Sequence, residues 1–207
     1  MSSYKIEGVI PVVHPSAFVH ETASLIGDVH IGAGCYIGPF ASLRGDFGRI
    51  VVGEGSNIQD SCVLHVFPGK ETRLEPNSHI GHAAVLHGCH IESFVLVGIG
   101  STVLDGAVVG EGSLIGAGSL LTSGMVVPPK SLVLGSPAQV VSELDDEALR
   151  WKENGVRVYQ DLARRSKATM TKVEPLAEVE TNRPELQIGP AEASRFPSAR
   201  NRSQSDS

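Results

Sequence analysis

Aliphatic residues recur every six positions along most of this chain, and that period restricts the possible folds to very few. Val19, Leu25, Ile31, Ile37 and Leu43 are six apart, as are Val52, Ile58 and Leu64. So is the series Val85, Ile91, Val97, Val103, Val109, Ile115 and Leu121. Four places after these stand small residues, among them Ala23, Cys35, Ala41, Cys62, Ser101 and Ser119. A period of six belongs neither to an amphipathic helix nor to a flat strand. It is the mark of hexapeptides that each make one short strand and a corner, three of them closing a triangular coil. The aliphatic residue points inward and the small residue fills the narrower inward place. Coils stack along one axis, each bonded to the next. The expected class is an all-β solenoid, a left-handed parallel β-helix with a C-terminal α-helical appendage. An aromatic content of 5% suits so narrow a core.

The phase slips twice. Three extra residues separate Leu43 from Val52, and the segment from Phe67 to Asn77 is expected to leave the prism as a loop. Loops that leave a solenoid on one face often carry function. The β-helix is read as residues 1–140, a C-terminal helical segment as 141–168, and a polar, disordered tail as 169–207. Asp145-Asp146 can cap a helix beginning near Glu147. Asn154-Gly155 predicts a break, with a second helix from about Val156 to Lys167. The formal charge of −6 without a basic cluster argues against nucleic acid or an anionic membrane as partner. Without a signal-like or long apolar segment, a soluble, cytoplasmic protein is expected. Cys35, Cys62 and Cys89 all fall at the inward small place, which makes them core residues and suits a reducing compartment.

Of eight histidines, four lie between positions 79 and 90. Counting coils puts His65 and His87 one above the other on one side of the prism, with His82 on the neighbouring side. One prism cannot easily bring all three onto a single ion. Three prisms in a cyclic trimer can, through a heterologous interface that closes. Three imidazoles with an open fourth position form a catalytic zinc site, where bound water has a pKa of roughly 7. The same three are also readable as unlinked polar positions on a prism face. Arg44 and Asp46 lie about one coil below, and Asn57, Gln59 and Asp60 one side before His65. Arg44 beside Asp60 would make an ion pair able to hold an anionic product. Gln59 could hold a metal-bound water, and the carboxylates could orient ligating imidazoles. A solvated charged edge is the alternative. His79 reads as a residue backing the site or anchoring the loop, His90 as surface.

Ser42-Leu43-Arg44-Gly45-Asp46, Asn57-Ile58-Gln59-Asp60 with His65, and the run from Ile80-Gly81-His82 to His87-Gly88-Cys89 resemble the γ-class carbonic anhydrase family over about residues 8–165. Gly45-Asp46-Phe47-Gly48-Arg49-Ile50-Val51-Val52, Val63-Leu64-His65-Val66-Phe67-Pro68 and Glu174-Pro175-Leu176 resemble most its PaaY/CaiE group of phenylacetate-degradation and carnitine-operon proteins. The resemblance implies a homotrimer with Zn2+ (or Fe2+ or Co2+) held by His65 and His87 of one chain and His82 of the next. It implies that Arg44 and Asp60 pair across the interface and that Gln59 orients the metal-bound water. It also implies that the C-terminal helix packs on a neighbouring subunit and that Tyr159 approaches the metal. Founding γ-class enzymes carry a glutamate directly after the Arg-x-Asp motif, where this chain has Phe47, and a second, proton-shuttling glutamate in an acidic loop. The PaaY-like group is associated with hydrolysis of CoA thioesters. The expectation is therefore a metal-dependent acyl-CoA thioesterase of phenylacetate catabolism with weak carbonic anhydrase activity. A true γ-class carbonic anhydrase acting on CO2 and bicarbonate, a CoA-dependent acyltransferase, and a non-catalytic assembly subunit are the alternatives.

Overall fold

Short strands climb this chain in threes. In the computed structural model, which describes residues 2–186, most strands are two or three residues long, and three successive strands close one coil of a left-handed parallel β-helix. Pairing joins equivalent strands of successive coils. Leu86 lies beside Leu64 below and Val103 above, and Ile80 beside Ile58 and Val97. The long strand Ser42–Val52 turns the corner between two of the three faces. The third face runs from Phe18–Val19 up to Ser131–Gly135, where Ala138–Glu143 closes it by antiparallel pairing.

The inward places behave as the repeat dictates. Leu25, Ile37, Leu43, Ile58, Leu64 and Ile115 are fully buried, each worth roughly 1.5–3 kcal/mol of transfer free energy. Ala23, Ala41, Ala107 and Ser113 fill the small inward place. The three cysteines are free thiols in the core, and burial pushes Cys35 and Cys62 up to about 11 and Cys89 to about 12.

The structure corrects the phase in two places. Val85 is 37% exposed, whereas Leu86 is fully buried. The inward series here is Leu74, Ile80, Leu86, with one five-residue step on to Ile91. Two adjacent aliphatics made either phase plausible, and coil stacking on Leu64 selects Leu86. The expected loop is also shorter. Glu71–Leu74 is a strand of the prism, paired with Ser42–Val52 and His90–Ile91, and Thr72 and Leu74 are fully buried. Only Phe67 to Lys70 leaves the coil.

The expected helix break does not occur. One helix runs Asp146–Thr169 straight through Asn154-Gly155. Asp145 caps it, its carboxylate accepting from the Ala148 N–H at 2.9 Å. A helix-interior glycine costs about 1 kcal/mol relative to alanine. Anchors on either side outweigh that cost. Lys152 Nζ donates to the Gly112 carbonyl, Gln160 Nε2 donates to the Gly55 carbonyl at 3.2 Å and to Asn77 Oδ1 at 2.9 Å, and Lys167 Nζ donates to the Ala17 carbonyl at 3.2 Å. These contacts dock the helix along its own prism, as its reading as a prism-packed appendage has it. Burial pushes the Lys152 ammonium down to about 8. Beyond the helix, residues 171–186 are exposed and carry neither helix nor strand. The rest of the expected disordered tail, 187–207, lies outside the described residues.

Candidate metal centre in two halves

His65 and His87 are register partners on adjacent coils, each one residue after an inward leucine. His65 Nδ1 and His87 Nε2 stand 3.2 Å apart. The other nitrogen of each ring meets a carboxylate: His65 Nε2 lies 3.0 Å from Asp46 Oδ1, and His87 Nδ1 2.7 Å from Asp105 Oδ1. Arg44 Nη1 donates to Asp46 Oδ2 at 3.2 Å.

Local sequence explains this arrangement. The three-residue insertion after Leu43 bulges the strand opposite Gly27 to Val29 and carries Asp46 and Phe47 outward beside His65. Asp105 lies 18 residues, one coil, beyond His87. Gly88 has φ +58, and a Cβ there would fall 2.2 Å from Asp105 Oδ1, so glycine is what lets the carboxylate approach. Phe47 packs on His65 with ring centroids 5.3 Å apart, and Phe67 on His87 at 4.9 Å.

The second half lies around the corner. His82 Nδ1 is 3.0 Å from Asp60 Oδ2. Gln59, 3% exposed, donates from Nε2 to Asn57 Oδ1 at 3.1 Å, and the same nitrogen lies 2.7 Å from His79 Nε2. Burial above all, with the nearby His82 and Lys152, pushes the His79 imidazole down to about 4. It is therefore neutral near pH 7 and accepts the second amide hydrogen, which leaves the Gln59 carbonyl oxygen as the free end. Tyr159 packs edge-on to His79 at 5.2 Å and to Tyr36 at 5.6 Å, and burial raises its hydroxyl to about 12. Gln59, His79, His82 and Tyr159 line a cleft of about 560 Å³ with Ile99 and Trp151.

The expected residues thus fall into two groups. His65, His87 and Arg44 share one cluster; His82, Asp60, Gln59 and Tyr159 surround the other. Within the chain Arg44 pairs with Asp46. Asp105 and Phe67 were not picked out from sequence. The spacing of one coil after His87 was the signal available for Asp105.

The donor set can be tested against zinc. Two nitrogens bound tetrahedrally at roughly 2.0–2.1 Å stand about 3.3 Å apart. The observed 3.2 Å between His65 Nδ1 and His87 Nε2 fits. A carboxylate on the remote nitrogen is the usual orienting partner of a ligating imidazole, and His65, His82 and His87 each have one. Among the described residues no three ligating side chains converge within one chain. The pair fits two corners of the site.

Comparison with known proteins agrees on the repeat. A family model described as Bacterial transferase hexapeptide (six repeats) matches residues 88–123. The carnitine operon protein CaiE of Salmonella agona is 49% identical over 186 residues, covering 90% of this chain and 94% of its own. CaiE of Escherichia coli K12 is 49% identical over 187 residues, covering 90% and 95%. A solved Bacillus cereus structure, provisionally named an acetyltransferase, superimposes with a TM-score of 0.80 at 36% identity over 81% of this chain and 97% of its own. A hexapeptide transferase family protein from Anaplasma phagocytophilum gives 0.76 at 39% identity over 79% and 96%.

Proposed function

The chain belongs to the hexapeptide-repeat family of the CaiE proteins, and from that footing we propose that it hydrolyses acyl thioesters of coenzyme A at metal centres completed between copies of the chain. One observation carries this reading. Two ring nitrogens face each other at 3.2 Å, each imidazole backed by a carboxylate, with a third carboxylate-backed imidazole around the corner of the prism.

In this reading three prisms associate side by side, and His65 and His87 of one chain with His82 of the next hold Zn2+, with Fe2+ or Co2+ as substitutes. A bound ion would supply Lewis acidity and lower the pKa of a water molecule. Asp46, Asp105 and Asp60 fix the three rings. The Gln59 carbonyl oxygen would accept a hydrogen bond from the attacking water and orient it. Arg44, released from Asp46 or shared with Asp60 of the next chain, offsets charge developing on the thioester oxygen. Water adds to the carbonyl carbon, the C–S bond breaks, and a proton passes to the leaving sulfur. That proton is the one the attacking water gives up, and Tyr159, whose burial keeps its hydroxyl protonated, lines the cleft beside His79. The products are a carboxylate and a free thiol. Cytoplasmic placement suits the three unpaired thiols.

CO2 hydration ranks below this reading, because Phe47 stands directly after Asp46, where founding γ-class enzymes carry a glutamate. Acyl transfer is the second reading, favoured by the provisional acetyltransferase name of the Bacillus cereus relative. The deciding experiment uses zinc-loaded protein. One arm follows thiol release from a panel of acyl-CoAs with and without an acceptor amine, and the other CO2 hydration by stopped flow. Thiol release without amine supports hydrolysis. CO2 hydration alone, or thiol release only with amine, overturns it.

A further inference from the structure

In the single chain two phenyl rings stand largely in solvent beside the histidine pair, and backbone hydrogen bonds join the segments that carry them. Phe47 is 58% exposed and Phe67 56%. Scattered exposed apolar residues are ordinary. Two that each pack on one imidazole of the same pair are not scattered. Phe67-Pro68-Gly69-Lys70 makes a type II turn: proline occupies the second place, Gly69 the third with φ +70, and the Lys70 N–H donates to the Phe67 carbonyl at 3.1 Å. The Gly69 N–H then donates to the Phe47 carbonyl at 3.0 Å, and the Arg49 N–H to the Lys70 carbonyl at 3.0 Å. Gly48 admits this approach, since a Cβ there would lie 2.3 Å from the Lys70 oxygen. The same backbone bonds therefore join the two segments, and each ring packs on an imidazole, Phe47 at 5.3 Å and Phe67 at 4.9 Å. Held rings lose little freedom when a ligand packs on them.

We propose that Phe47 and Phe67 form an apolar rim that selects thioesters with a bulky, uncharged acyl group. The inference rests on the thioesterase reading above and names the substrate class it leaves open. A carbonyl placed at the imidazoles puts its substituent within contact of both rings. An acetyl group is too short to cover them. An acyl group ending in a carboxylate would lose its water against the phenyl faces.

The test compares acetyl-, hexanoyl-, benzoyl- and succinyl-CoA as substrates of the zinc-loaded wild type, Phe47→Ala, Phe67→Ala and the conservative Phe67→Leu. The wild type should favour hexanoyl- and benzoyl-CoA. Each alanine variant should lose about tenfold in kcat/KM for those two, mainly through KM, with acetyl-CoA changed less than about twofold. Phe67→Leu should recover most of the hexanoyl rate. Equal losses for all four substrates, or a change in oligomeric mass by light scattering, would assign the rings a structural role and overturn the rim. A second arm titrates the non-hydrolysable thioether analogues of acetyl- and hexanoyl-CoA by calorimetry. If the wild type hydrolyses nothing yet binds the hexanoyl analogue more tightly, and loses that margin in the alanine variants, the reaction is wrong and the rim stands. If it hydrolyses all four alike, the reaction stands and the rim is wrong.

Discussion

His65 Nδ1 and His87 Nε2 face one another at 3.2 Å across two stacked coils, while the far nitrogen of each ring meets Asp46 or Asp105. Both near nitrogens can act as acceptors only if something positive lies between or beside them. The separation suits two corners of the metal site proposed above, and it equally suits an N–H···N hydrogen bond between the two rings.

His87→Ala and His82→Ala should each abolish metal binding, although His82 lies on another face from the pair. Zinc content per chain, measured by plasma emission after dialysis, should fall below about a tenth of wild type in both. A His82→Ala protein that keeps its zinc would break the proposed sharing between chains.

Asp105→Asn removes the charge behind His87 while keeping its shape. Zinc affinity should fall about 10–100-fold. Competition with a fluorescent chelator measures this, and circular dichroism should show the fold unchanged.

The corrected phase has its own test. Leu86→Ala should cost about 2–5 kcal/mol in denaturant unfolding, the range for a buried leucine. Val85→Ala, at a 37% exposed position, should cost under about 1 kcal/mol. The reverse order would restore the phase read from the repeat alone.

Gly155→Ala should stabilise the protein by about 0.5–1 kcal/mol, since the site is helical and alanine is the better helix former. The added Cβ would meet His79 Cε1 at 3.6 Å and Nδ1 at 3.7 Å, ordinary contact distances. A loss of stability instead would mean that the helix needs a hinge there.

The buried imidazole of His79 gives a pH dependence of definite sign. Burial above all, then the nearby His82 and Lys152, lowers it on folding from 6.5 to about 4. Between those values the unfolded chain binds the extra proton, so stability falls as pH drops through the window. The full effect is roughly 3 kcal/mol. Urea unfolding from pH 7.5 to 4.5 should show that slope, and His79→Gln should flatten it.

The prism, its three faces and most of its inward residues were readable from the repeat, because inward and outward places in a hexapeptide coil are set by local spacing. The same spacing separated His82 from His65 and His87. It could not choose between Val85 and Leu86, where both neighbours are aliphatic, nor see that Leu74 belongs to a coil after a shifted phase. Gly155 reads locally as a break, yet Lys152, Gln160 and Lys167 anchor the helix to distant coils. Asp46 reaches His65 through a bulge, Asp105 reaches His87 through stacking, and Phe47 and Phe67 are bound by bonds between separate turns. Periodicity acts between neighbours along the chain and so determined the architecture. The chemistry of the site depends on contacts between residues about 20 apart in sequence, such as His65 and His87, and only the stacking of coils decides those.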